Sequence, residues 1–227
     1  MFKKALKKIV IGSPFETIAR RIFGRTFTIS AEYWEKRYKT GGNSGAGSYG
    51  RLANFKAEVL NEFVARKEIS SVIEFGSGDG NQLKLAKYPI YTGVDISMTA
   101  VEQCRKHYAG DTNKSFLTLS EYDGRQGQLS LSLDVIYHLV EDEAFINYMA
   151  TLFDAAERYV IIYSSNWDEQ PASQHVRHRK FVDWASANRP CFNLVSHIPN
   201  RFSFDARNPD NSSFADFYIF EMNEKSV

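Results

Sequence analysis

The stretch SSVIEFGSGDGNQL, residues 70–83, places glycines at alternate positions, Gly76, Gly78 and Gly80. The apolar residues Val72, Ile73 and Phe75 precede them, Glu74 stands just before them and Asp79 among them. A short apolar strand that breaks into glycines and then into a helix-like mix is a strand–turn–helix unit whose backbone can approach a ligand closely. The dinucleotide fingerprint wants its third glycine at position 81, and Asn81 stands there instead. Glu74 and Asp79 are also poor neighbours for a pyrophosphate, since like charges would face each other. A cationic ligand reverses that sign.

Regular patterns extend from this unit in both directions. Phe55, Val59, Leu60, Phe63 and Val64 form a helical apolar stripe before it. After it, a short helix runs through Leu83 and Ala86, and IYTGVDIS reads as a second strand ending in Asp95. Thr99 and Glu102 have capping-box spacing for the next helix, which turns Val101 and Cys104 inward. SFLTL, LSLSL (Leu129 to Leu133) and YVIIY (Tyr159 to Tyr163) read as three more strands, with a helix marked by Phe145, Tyr148, Met149, Leu152 and Phe153 before the last. FNLVSHI and FADFYIFE close the chain as an antiparallel pair. The alternation predicts an α/β fold with a Rossmann-like, mostly parallel sheet and helices on both faces.

The whole chain bounds the function. It has 227 residues, 43% hydrophobic and 24% charged, enough for one sizeable domain with an extension. A net charge of +1 argues against a protein that coats nucleic acid. Cys104 and Cys191 show no CxxC spacing, so the expected compartment is a reducing cytoplasm. No apolar run reaches the ~20 residues that span a bilayer, and no signal-peptide pattern opens the chain. Residues 1–25 carry Lys3, Lys4, Lys7, Lys8, Arg20, Arg21 and Arg25 against Glu16 alone, with Phe2, Leu6 and Ile9 at helical spacing. Two readings fit: an extension packed on its own domain, or a peripheral contact with anionic membrane or a partner. Residues 29–49 hold Tyr33, Trp34, Arg37 and Tyr38 and then a glycine-serine loop, which is either a linker or a lid.

S-adenosyl-L-methionine suits a glycine turn rimmed by carboxylates, since it carries a sulfonium and an ammonium and no phosphate. Asp95 strengthens the reading. It ends the second strand, where a carboxylate can accept both ribose hydroxyls; the competing role is to cap the helix that follows. The motifs VIEFGSGDG, GVDIS, LSLSLDVIYHL and YVIIYSS resemble those of class I S-adenosylmethionine-dependent methyltransferases, over roughly residues 50–221. That resemblance implies a seven-stranded sheet with its last strand antiparallel, and a division into an N-terminal extension with lid, 1–49, and a methyltransferase domain, 50–227. It further implies that Glu74, Gly76, Ser77 and Gly78 line the methionine end and that Asp95 and Ile96 lie at the ribose. Glu121 or Tyr122 would stand beside adenine, and Arg37 and Tyr38 would reach the methionine carboxylate. Gln128 departs from the pattern, standing where many relatives open the fourth strand with aspartate.

Methyl transfer from a sulfonium is an in-line displacement that depends on alignment, and a hydroxyl acceptor also benefits from a base. Asp134, Tyr137 and His138 in DVIYHL are the catalytic candidates. Beyond the fifth strand, His175, Arg177, His178, Arg179 and Lys180 form a basic cluster, and Trp167 adds a stacking surface. The cluster reads either as a grip on an anionic acceptor or as a solvated helix start. The expected acceptor is a small molecule or a glycan-linked group, methylated on oxygen, as in small bacterial methyltransferases of glycan assembly. The alternatives are a non-catalytic cofactor-binding scaffold and, disfavoured by the loop acids, a nucleotide-dependent oxidoreductase.

Overall fold

The computed structural model describes residues 28–169 and 176–223. Seven strands form one sheet in the order β3-β2-β1-β4-β5-β7-β6. They are β1 (Ser71–Phe75), β2 (Ile90–Asp95), β3 (Lys114–Thr118), β4 (Gly127–Leu133), β5 (Ala156–Ser164), β6 (Phe192–Ile198) and β7 (Asp216–Met222). The first five run parallel, and β7 lies antiparallel between β5 and β6. The fold expected from the motifs is the one observed, including the reversed last strand.

Among the described residues, five α-helices pack around the sheet: α1 (Thr28–Lys39), α2 (Gly50–Arg66), α3 (Met98–His107), α4 (Asp142–Asp154) and α5 (Phe181–Asn188). Strand periodicity sorts the apolar residues into two layers. Val72, Leu129, Leu131, Ile161 and Ile219 face Leu60, Phe63 and Val64 of α2 and Val101 of α3. Ile73, Phe75, Val160, Ile162 and Phe220 face Met149, Leu152 and Phe153 of α4 and Phe181 of α5. The parallel strands are covered on both faces, which is why they read as continuous apolar runs.

Two local expectations change. The N-cap of α3 is Ser97, whose hydroxyl accepts from the Ala100 N–H; the Thr99–Glu102 capping box is not the start of the helix. The short helix expected at Leu83 is a single 3-10 turn, Gln82–Leu85. The amphipathic segment 1–25 lies outside the described residues. No described helix is long and apolar enough to cross a membrane.

Candidate cofactor and active site

The strand order reverses between β1 and β4, since β1 continues to β2 on one side and β4 to β5 on the other. A crevice opens at the carboxyl ends of strands at such a switch point. The cavity there measures about 940 Å³, including its open mouth, and Glu74, Gly76, Ser77, Gly78, Asp95, Ile96 and Asp134 line it.

The three glycines have a backbone reason. Gly76, Gly78 and Gly80 sit at φ of 81°, 57° and 73°, the left-handed region that side chains rarely adopt. Space is short as well: a Cβ on Gly76 would lie 2.4 Å from Val135, and one on Gly78 would lie 2.3 Å from the Ser44 hydroxyl. The N–H groups of Gly76 and Ser77 both donate to the Val94 carbonyl, at 2.7 and 3.2 Å, so the turn folds back on β2.

Two buried carboxyls flank this turn. Glu74 is 5% exposed and accepts from the Tyr91 hydroxyl at 2.7 Å. Burial pushes its pKa up to about 7, against the opposing pull of Tyr91 and Lys56. Asp95 is 6% exposed and accepts from the Ser97 and Gly78 N–H groups, both at 2.8 Å. Burial raises it to about 6, and those backbone donors oppose the shift. Asp79 is held the other way. Burial works against its charge, but donors from Asn81, Ser44 and Tyr49 outweigh that and lower its pKa.

The loop after α1 closes over the turn as a lid. Ser44 N–H and the Tyr49 hydroxyl donate to Asp79 at 2.9 and 2.8 Å, and the Asp79 N–H donates to the Ser44 hydroxyl at 3.0 Å. Glu35 of α1 accepts from the Ser97 and Thr99 hydroxyls at 2.6 and 2.8 Å, and so ties α1 to the start of α3. Trp34 and Tyr38 then wall the cavity. Arg37 does not line it: its guanidinium donates to the Asn43 carbonyl at 2.6 Å.

At the end of β4, Asp134 adopts φ 60°, unusual for a residue with a side chain. Its Oδ2 takes a bond from Lys56 Nζ at 2.6 Å and its Oδ1 one from the Tyr137 hydroxyl at 2.8 Å. Gly47 of the lid crosses so close that a Cβ there would lie 2.7 Å from Oδ2. His138 also lines the cavity, its ring edge-on to Trp34 at 5.1 Å, whereas Tyr137 reaches the cavity only through Asp134.

Other expected site residues fall elsewhere. Glu121 and Tyr122 do not line the cavity, and Leu119 does. Glu121 accepts from Thr118 N–H at 2.7 Å and Arg105 at 2.8 Å, while the Tyr122 ring packs edge-on to Phe75. Arg177 and Arg179 are engaged within the fold. Arg179, 8% exposed, donates to the Leu139 and Val140 carbonyls and to Asp142, and Arg177 to Val140 and Asp142. They tie the segment after β5 to the start of α4. His178 stacks on Trp167 at 4.7 Å and bonds Ser165 at 2.6 Å; burial lowers its pKa. His175 lies outside the described residues. Gln128 accepts from the Ser70 N–H at 2.8 Å, a peripheral structural bond.

Sequence reading missed Lys56 and Glu35 as site residues, and took Trp34 and Ser44 only as part of a linker or lid. Lys56 did carry a signal: it falls between Leu52 and Leu60 at four-residue steps, on the apolar face of α2.

No protein-family model and no curated protein matches the chain. Solved structures do. The N-methyltransferase NodS from Bradyrhizobium japonicum WM9, in complex with S-adenosyl-L-homocysteine, aligns with TM-score 0.61 and 13% identity over 86% of this chain and 99% of that one. Magnesium protoporphyrin IX methyltransferase (ChlM) from Synechocystis PCC 6803, with bound SAM, gives 0.57 and 15% over 94% and 99%. The methyltransferase domain of bacterial CtHen1-C gives 0.57 and 16% over 74% and 97%. At these identities the likeness is one of fold: the chain has the fold of class I S-adenosylmethionine-dependent methyltransferases.

Proposed function

We propose that the chain is an S-adenosylmethionine-dependent methyltransferase. The observation that carries this is the cavity at the β1–β4 switch point, where a left-handed glycine turn lies between two buried carboxyls, Glu74 and Asp95. The residues present fit this cofactor. The turn lets the backbone lie against it, Asp95 at the end of β2 lines the cavity where a carboxylate suits the ribose, and the acids suit its positive charges. When bound, the cofactor supplies an electrophilic methyl group. The structures of like fold, the N-methyltransferase NodS and magnesium protoporphyrin IX methyltransferase, support the reaction class and leave the acceptor open.

For the acceptor, the reading is a hydroxyl on a small or glycan-linked molecule. Asp134 and His138 line the cavity, which supports the reading that one of them takes its proton. Trp167 is 38% exposed beside His178 and offers a stacking face. Arg177 and Arg179 are bonded to Leu139, Val140 and Asp142 within the fold, so they lend an anionic acceptor little support. A cytoplasmic location with a peripheral membrane contact through residues 1–25 remains part of the proposal, on the basic pattern of that segment.

Thermal melting tests the cofactor. Ligand at ~100 times its Kd stabilises by about 2.7 kcal/mol, or about 5–10 °C for a chain of this size. S-adenosylmethionine and S-adenosylhomocysteine are expected to give such a shift and NAD none. A response to NAD alone overturns the reading. Transfer of one methyl to a glycan pool, read by mass, then identifies the acceptor.

A further inference from the structure

The cavity is lined by four acids, Glu74, Asp79, Asp95 and Asp134, and among its described lining residues Lys56 is the only lysine or arginine. Lys56 is 1% exposed on the apolar face of α2. A buried ion pair of this kind gives little net stability compared with an apolar pair of similar volume, so its presence needs another reason. An ammonium has three donors. Among the described residues, Lys56 makes one hydrogen bond, to Asp134 Oδ2, and its Nζ lies 5.3 Å from the centre of the Tyr163 ring. The remaining donors belong to a group that lines the cavity.

The methionine end of the cofactor bears a carboxylate as well as an ammonium. A cavity of carboxyls would repel that carboxylate unless a cation meets it. Arg37, the cation expected to do so from the resemblance, is bonded to Asn43 outside the cavity. We infer that Lys56 binds the carboxylate of the cofactor's amino-acid end, while the neighbouring acids suit its ammonium. Asp134, held in its left-handed conformation with Tyr137 on its other oxygen, directs the Lys56 ammonium before the ligand arrives. The inference rests on the cofactor reading above and goes further, because it assigns the specificity for an intact amino acid to one side chain.

The test compares S-adenosylhomocysteine with its decarboxylated analogue, by calorimetric titration of the full chain. Loss of a charge-assisted bond corresponds to about 10- to 100-fold in affinity. Wild type is expected to prefer S-adenosylhomocysteine by that factor. Lys56→Met leaves the part-buried Asp134 without its cation, so the double variant Lys56→Met with Asp134→Asn is measured beside it. In either variant S-adenosylhomocysteine is expected to weaken about 10- to 100-fold and the analogue by less than about threefold, closing the gap. Equal weakening of both ligands would mean that Lys56 acts only through packing, and retained discrimination would assign the carboxylate to another group; each overturns the inference and leaves the cofactor reading standing. A wild type that binds both ligands equally overturns it without any variant. A wild type that binds neither overturns the cofactor reading as well.

Discussion

The carboxyl of Asp95 joins two roles that the sequence presents as alternatives. One oxygen accepts from Ser97 N–H at the start of α3 and the other from Gly78 N–H in the glycine turn, and the same group lines the cavity. Each oxygen keeps a further lone pair for a ligand hydroxyl. Asp95→Ala leaves two buried N–H groups without a partner, at about 1–3 kcal/mol each, so the apo protein is expected to melt lower. Affinity for S-adenosylhomocysteine is expected to fall by roughly 2–4 kcal/mol as well. Asp95→Asn keeps an acceptor oxygen and is expected to retain more stability than affinity. Melting and calorimetry on both variants decide this; an alanine variant with wild-type stability would show that the backbone bonds matter little.

At the scale of elements, α1 and its lid are joined to the domain by polar contacts. Glu35 accepts from two hydroxyls and from the Thr99 N–H at 3.2 Å. Burial opposes its charge, yet the donors from Ser97, Thr99 and Lys39 together pull its pKa down to about 2. A depressed carboxyl stabilises the fold above its ordinary value, and that contribution fades as pH falls from about 4.5 toward 2. Glu35→Ala is expected to free α1 from α3, which raises hydrogen exchange across residues 28–39 while the melting temperature drops by only a few degrees. Binding of S-adenosylhomocysteine is expected to weaken too, because Trp34 and Tyr38 wall the cavity. Unchanged exchange in α1 would show that the helix is held by its apolar face alone. The same logic explains Arg177 and Arg179, which hold two loops together through Asp142 and carbonyl groups.

For the whole molecule, Glu74 and Asp95 make stability depend on pH. Both have raised pKa values, so between the ordinary carboxylate range and about 7 the folded chain keeps protons that the unfolded chain releases. Stability from these groups is therefore present at the acid end of that window and is lost as pH rises through it. The lowered carboxyls, such as Glu35 and Asp79, act below the window. The apo protein is expected to melt lower at pH 8 than at pH 5.5, and Glu74→Gln is expected to flatten the slope. A cationic cofactor favours the ionised carboxyls, so its affinity is expected to rise over the same interval. A melting temperature that climbs steadily from pH 5.5 to 8 contradicts the assignment.

Residues 70–83 by themselves determined a strand, a tight turn and a ligand-facing backbone. The reason is local: apolar alternation marks a strand, and three glycines permit three positive φ angles in five residues. The acids beside them favour a cationic ligand over a pyrophosphate. The regular succession of strands and helices settled the sheet, because parallel strands need crossovers of this length. Tertiary structure alone decided which distant groups meet. Lys56 and Asp134 are 78 residues apart and Glu35 and Ser97 are 62 apart, and each pair is joined by the order of strands and the docking of helices on them. Arg177 and Arg179 looked like a ligand grip in one dimension, and the approach of α4 turned them into internal bonds. A lysine in an apolar stripe shows in sequence that a buried charge exists; only the fold supplies the carboxylate and the cavity that give it a role.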